Sequence, residues 1–245
     1  MTTQGYRVLH RDRWLLAVEK PSGLLSQPGL GPDQGDSLIS RVQADDSAWR
    51  LVHRLDRDTS GVLLLAAGLE ALRRTSVLFS NRCVNKLYLA HVRGVMAGHG
   101  CIHNRLARLQ RQPPRYGPHP EGRDACTLWR VRSSAAGITQ VWLRPITGRS
   151  HQLRTHLAGI AHPILGDPIY GDAIDGHQPA DHVSLDHHPS QRLHLHAMAL
   201  SFCHPFTGQR LRLLSADPWP QRWAGNPRRA GIGYGMRRCR IRLHT

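Results

Sequence analysis

Two textures meet in the first third of this sequence, and their junction constrains the fold more than any other feature. A dense polar block, HRLDRDTSG at residues 53–61, runs directly into the apolar VLLLAA at 62–67. Six apolar residues bounded by turn formers read as a buried strand. A polar turn that ends in Thr-Ser-Gly and feeds such a strand holds a carboxylate rigidly at the strand end. Arg54 and Arg57 flank Asp56 and offer it cationic partners. A salt-bridged surface turn would have the same composition, so the block alone leaves both readings open.

Charge narrows the choice of partner. Lys plus Arg number 33 against 17 acids, a net charge of +16, and the isoelectric point is near 11.1. A field of that sign attracts polyanions, with binding driven by release of phosphate counterions. Seven of the surplus charges are arginines of an acid-free tail after Pro218, which leaves nine on the body. Nucleic acid is therefore the expected partner, with DNA and RNA not separated by charge. Lys20 and Lys86 are the only lysines among 33 basic residues. In so arginine-rich a chain, each hints that a compact ammonium is wanted at its position.

Other classes are excluded or disfavoured. At 245 residues with a mean hydropathy of -0.41, the composition is that of a soluble domain with a substantial core. The longest apolar run is far too short for a bilayer, and the N-terminus lacks the apolar core of a signal peptide. Five cysteines without CxxC spacing read as reduced thiols, and the expected location is the cytoplasm.

Along the chain, residues 14–19 and 87–92 predict strands, and residues 37–43 a short helix capped by Asp36 or Ser37. Residues 70–81 predict a longer helix. Residues 27–35 read as an irregular loop, and 105–123, rich in Arg and Pro, as a flexible basic excursion. Residues 125–132 and 138–144 predict a hairpin. Thr147-Gly-Arg-Ser150 precedes a helix whose apolar stripe is Leu153, Leu157 and Ile160, with Arg154 at the edge of a cleft. A His- and Asp-rich loop spans 172–191, and residues 193–202 and 210–214 predict a last pair of strands. Many short strands with few helices indicate an α+β domain on a mixed or antiparallel sheet.

Seventeen histidines raise the question of metal. His151 and His156 are five apart and fall on different helix faces. His194 and His196 alternate on one strand face, a better geometry, but no cysteine pair or placed carboxylate accompanies them. The expectation is no metal. Walker, GxGxxG and GxSxG motifs are absent, so no nucleotide cofactor is expected either. Ser60 has no base partner visible in sequence, which disfavours a serine hydrolase. What remains is one aspartate, an aromatic hydroxyl at Tyr88 and Arg154 on a helix. That set suits carboxylate chemistry on a sugar or base.

These residues resemble a known family. HRLDRDTSG matches the HRLDxxTSG signature of the RluA-type pseudouridine synthases. DRWLLAVEKPSG at 12–23, KLYLAHVRG at 86–94, RPITGRSHQLRTHLAGIAHPILGDPIYG at 144–171 and RLHLHAMALSFCHP at 192–205 resemble further family segments, in the family's order. The resemblance implies the pseudouridine synthase catalytic fold: α+β, with a mixed, mainly antiparallel bent β-sheet flanked by helices. It also implies a uridine-to-pseudouridine isomerase acting on structured RNA, 23S rRNA or tRNA or both; no cofactor is expected, and the expected state is a monomer. Asp56 matches the essential aspartate, which acts on the ribose C1′–C2′ region as nucleophile or base. Tyr88 matches the tyrosine that packs on uracil, and Arg154 the basic residue paired with the aspartate. Arg54 matches the residue that fills the space of the flipped nucleotide, while His53, Thr147, Arg149 and His151 are the expected substrate-binding residues. Flipping costs about a few kcal/mol, and a guanidinium that both stacks and contacts phosphate suits the vacated place. The expected organisation is a catalytic domain over residues 1–217 and a basic tail over 218–245. A catalytically silent RNA-binding or ribosome-assembly protein of the same fold is the alternative.

Overall fold

The computed structural model describes residues 2–3, 5–31, 34–112, 114–171 and 192–219. The His- and Asp-rich loop at 172–191 and the tail from residue 220 lie outside the described residues. Within them the chain forms twelve strands and three helices. The strands are β1 (Thr2–Thr3), β2 (Tyr6–Arg11), β3 (Leu15–Lys20), β4 (Trp49–Leu51), β5 (Ser60–Ala67), β6 (Asn85–Arg93), β7 (His99–Gln110), β8 (Arg115–Pro118), β9 (Arg123–Ala135), β10 (Ile138–Pro145), β11 (Leu195–Cys203) and β12 (Arg210–Leu214). The helices are α1 (Leu38–Asp45), α2 (Gly68–Ser80) and α3 (Gln152–Gly159). The strands join one sheet in the order β1-β2-β3-β5-β11-β6-β10-β9-β7-β8, with β12 on β11 and β4 on β5. The β5–β11 pairing is parallel and the others are antiparallel, which is the mixed sheet expected.

The apolar run becomes β5 because both of its faces are covered. Leu63 and Leu65 pack with Leu16, Val18, Leu38, Val42 and Trp49 on the α1 side. Val62, Leu64 and Ala66 pack with Leu15, Ala17, Ala71, Leu200 and Phe202 on the α2 side. A third cluster joins β6 and β10 to α3 through Ala90, Val92, Val141, Leu143, Leu153 and Leu157.

The glycine of the polar block is required where β5 meets β11. Gly61 has φ +113, and a Cβ there would lie 2.3 Å from the Ala197 carbonyl oxygen. Only glycine allows that approach.

The basic excursion differs from expectation. Residues 105–123 continue β7, turn, and return as β8, with Leu106 opposite Pro118 and Arg108 opposite Tyr116. β7 also pairs with β9 from His99 to Leu106. The apolar alternation that marks a strand is missing there: Leu106, Gly117 and Gly122 are the buried positions, and arginines, prolines and other polar residues supply most of the exposed ones. Backbone pairing builds this arm, with little side-chain signal. Trp219 is buried, stacked on His194 with ring centroids 5.1 Å apart. Residues 218 and 219 thus dock on the body of the domain.

Candidate active site

Asp56 sits in the turn between β4 and β5, closed by a Thr59 N–H donating to the Asp56 carbonyl at 3.1 Å. The segment after β3 holds this turn from beneath. Lys20 is fully buried, and its Nζ donates to the carbonyls of Pro21, Leu24 and Arg57 at 2.7–2.8 Å. Burial pulls the Lys20 ammonium down to about 7. Ser22 Oγ donates to the Asp58 carbonyl, and Ser26 Oγ to the Leu55 carbonyl, each at 2.7 Å. Three side chains of one segment therefore fix the backbone on both sides of Asp56.

The turn opens into a cleft of about 500 Å³, whose lining includes Arg54, Asp56, Arg82, Lys86, Tyr88, Arg149 and Arg154. Asp56 is the one carboxylate among the lining residues. Such a volume suits a nucleotide-sized ligand, and the cations suit its phosphates.

Tyr88 enters from β6. Burial, and then the negative charge of Asp56, hold its hydroxyl strongly in the protonated form. Arg154 enters from α3 with its side chain 2% exposed. Its Nη1 lies 3.9 Å from Asp56 Oδ2, an ion-pair distance too long for a hydrogen bond. Burial opposes the Arg154 charge, yet its bonds to Asp167 keep the guanidinium firmly protonated. The structure thus brings Asp56, Tyr88 and Arg154 to one cleft from three separate elements. Arg57 does not join them; its Nε donates to Asp58 Oδ1 at 3.0 Å.

The expected substrate-binding residues divide by position. Arg54 and Arg149 line the cleft, with Arg149 Nε on the Asp124 carbonyl at 3.0 Å. His53 also lines it, but its Nε2 accepts the Leu64 N–H at 3.1 Å and its ring stacks on Phe79. Burial holds His53 neutral, down to about 3. Thr147 is tied into the wall: its Oγ1 accepts the Cys126 N–H and donates to Gln152 Oε1. The Thr147 carbonyl accepts from Lys86 Nζ at 3.2 Å, and burial brings that ammonium down to about 8. Both lysines singled out by composition thus donate to backbone carbonyls at the site, Lys20 from a buried position and Lys86 from a half-buried one. His151 adopts a left-handed φ of 52° ahead of α3 and hydrogen-bonds Tyr170 Oη through Nδ1 at 2.9 Å. Strain of that kind in a non-glycine residue marks a position fixed by its surroundings.

Three functional positions were not singled out by sequence. Buried Gln152 bonds Thr147 Oγ1 and the Arg149 N–H through Oε1, and the Cys126 carbonyl and Thr127 Oγ1 through Nε2. It locks residues 145–151 against β9. Asp167 grips Arg154 with two bonds of 2.7 Å. Tyr170 lies under the Arg154 guanidinium, 5.1 Å from ring centroid to Cζ. The sequence signal for all three was their place in the 144–171 segment that resembles the family, which names no role for them.

Ser60 does have a histidine neighbour, since its Oγ lies 2.7 Å from His196 Nδ1. Both side chains are buried, and His196 Nε2 is bonded to Ser215 Oγ. That pair knits β5 to β11 and does not face the cleft. His194 and His196, the better of the metal candidates, are engaged with His91 and with these serines. Among the described residues no group of three potential ligands converges on a metal position, and no helix is long and apolar enough to cross a membrane.

A mixed sheet carrying one carboxylate in a cation-lined cleft fits the class of proteins that receive a single nucleotide of a polyanion. Comparison with known proteins makes that class specific. Residues 14–159 match the profile of the family described as RNA pseudouridylate synthase. A Yersinia pestis protein named dual-specificity RNA pseudouridine synthase RluA is 40% identical over 204 residues, covering 82% of this chain and 94% of that protein. Ribosomal large subunit pseudouridine synthase D of Xanthomonas campestris is 35% identical over 217 residues, covering 86% and 66%. Among solved structures, human RNA Pseudouridylate Synthase Domain Containing 4 aligns with a TM-score of 0.67 at 29% identity, covering 86% of this chain and 88% of that one. Human RNA Pseudouridylate Synthase Domain Containing 1 aligns at 0.70 and 24% identity, over 91% and 88%, a likeness of fold. The chain belongs to the RNA pseudouridylate synthase family. It is an RNA pseudouridine synthase, an isomerase.

Proposed function

We propose that Asp56 is the reactive carboxylate of this synthase, and that its substrates are uridines of both 23S rRNA and tRNA. The observation that carries the first part is the convergence of Tyr88 and Arg154 on Asp56 in a cleft with no other carboxylate in its lining. Conversion of uridine to pseudouridine breaks the C1′–N1 bond, forms C1′–C5 and moves a proton from C5 to N1. A carboxylate facing the ribose serves it by attacking C1′ or by taking the 2′ proton. Tyr88 packs against the uracil, and its hydroxyl, held as the phenol, relays the C5 proton by releasing its own as it takes that one up. Arg154 supplies positive charge beside the carboxylate throughout. Arg54 fills the stack left by the flipped nucleotide, and the lining of residues 145–151 receives its phosphates.

Dual substrate range rests on the 40% identical relative, whose name states dual specificity. The enzyme acts as a cytoplasmic monomer. Residues 1–217 form its catalytic domain and 218–245 a tail that adds phosphate attraction, as do the arginines of the β7–β8 arm. Pseudouridine mapping of rRNA and tRNA from cells lacking the protein tests the substrate range. Loss of modification at defined uridines in both RNAs is expected. Loss in one class alone would remove dual specificity, and an unchanged map would remove both RNAs as substrates.

A further inference from the structure

Two thiols that the isomerisation does not use meet on the sheet beside the cleft wall. In the antiparallel pairing of β7 with β9, Cys101 lies opposite Leu128 and Cys126 opposite His103. The two cysteines are therefore diagonal neighbours on one face, because residues two apart on a strand share a face. Their Sγ atoms are 3.5 Å apart. Cys101 is exposed and Cys126 is buried, so one thiol of the pair meets solvent and the other lies behind it.

Cys126 is also the residue of β9 from which the cleft wall hangs. Its N–H donates to Thr147 Oγ1 at 2.9 Å. Its carbonyl accepts the Ile146 N–H at 2.9 Å and Gln152 Nε2 at 3.0 Å. One residue thus carries a thiol toward β7 and three hydrogen bonds toward residues 146–152. A covalent bond would draw the two sulfurs well inside their present contact. Diagonal partners stand at or beyond the backbone spacing that a relaxed disulfide spans, so Cys126 moves toward β7 as the bond closes. The wall loses alignment with it. A bridge made in this way is strained, and strained bridges are the readily reduced ones.

We propose that Cys101 and Cys126 are a reversible oxidation site for hydroperoxides, and that closing it loosens the wall at 145–151 and weakens RNA binding. The proposal rests on the cleft being the RNA site. The Cys101 thiolate attacks one peroxide oxygen; the O–O bond breaks, sulfur is oxidised to the sulfenic acid and hydroxide leaves. The Cys126 sulfur then displaces the hydroxyl group, which departs as water, and the S–S bond forms. Two thiols and one hydrogen peroxide give one disulfide and two waters. In a reducing compartment such a disulfide is transient and serves as a sensor.

The test treats the reduced full-length protein with one equivalent of hydrogen peroxide and maps its disulfides by peptide mass spectrometry. The Kd for a tRNA transcript is measured on the reduced, oxidised and dithiothreitol-treated protein. A linked Cys101–Cys126 peptide is expected, two hydrogens lighter than its separate parts. Kd should rise on the order of tenfold, as the loss of one or two wall hydrogen bonds implies, and return on reduction. Cys101→Ser, at an exposed position, should leave the reduced Kd within about twofold and abolish the response. Cys83→Ser combined with Cys203→Ser, the other exposed cysteines among the described residues, should retain it. Absence of the linked peptide, a response that survives Cys101→Ser, or a linked peptide with unchanged Kd would each overturn the proposal. The peptide map is made on the wild type, so it holds whether or not a variant folds. Reduced wild-type protein that binds no RNA would instead contradict the reading of the cleft, so the two failures are distinct.

Discussion

At the scale of single residues, the polar block divides its labour sharply. Asp56 and Arg54 face the cleft, whereas Arg57 and Asp58 pair with each other and their carbonyls anchor the turn to Lys20 and Ser22. Gly61 joins β5 to β11 with no space for a side chain. Gly61→Ala is therefore expected to destabilise the fold on the order of 3–5 kcal/mol, combining a forced φ with a backbone clash. Denaturant unfolding measures it, and a loss under about 1 kcal/mol would show that β11 yields easily. Asp56, Tyr88 and Gly61 were legible from sequence because each lies inside a motif with a chemical reason for its residue type. Asp167 was not. A buried carboxylate in a Gly-Asp-Pro turn looks like any turn aspartate until its partner, thirteen residues away, is placed beside it.

At the scale of elements, the segment linking β10 to α3 shapes the cleft wall and depends on one side chain. Gln152 makes four hydrogen bonds from a buried position, reaching residues 147 and 149 on one side and β9 on the other. Gln152→Ala should cost about 2–3 kcal/mol of stability by leaving those partners unsatisfied, and should raise KM more than it lowers kcat. Paired unfolding and steady-state measurements check both, and unchanged KM would place the wall elsewhere. The β7–β8 arm is the element that sequence misread, because strand propensity was sought in side-chain alternation and the arm is held by backbone pairing. Replacing Arg105, Arg111 and Arg123 by Gln should weaken RNA binding and reduce its salt slope by about 2, at roughly 0.7 per phosphate contact on single strands. An unchanged slope in a titration at several salt concentrations would remove the arm from the RNA surface.

At the scale of the whole molecule, the buried histidines tie stability to pH. Burial lowers His53 to about 3 and His156 and His196 to about 4 in the folded state. The unfolded chain takes up these protons near pH 6.5, so their contribution is present above that value and is lost as pH falls toward 4. Each histidine costs about 1.4 kcal/mol per pH unit across that window. Thermal unfolding midpoints should drop between pH 6.5 and 4.5, and a flat profile there would mean that these rings are charged when folded. The overall architecture was readable because β5, the hairpin of β9 and β10, and the apolar stripe of α3 all carry period and length. The strand order was not, since it depends on long-range pairings such as β5 with β11 that no local pattern encodes. The account's central claim is that Asp56 performs the chemistry. Tritium release from RNA labelled at uridine C5 tests it most directly, comparing the wild-type protein with Asp56→Asn. The wild type is expected to release tritium, and the variant to release none while binding RNA within about threefold of the wild-type Kd. Sustained release by the variant would contradict the claim.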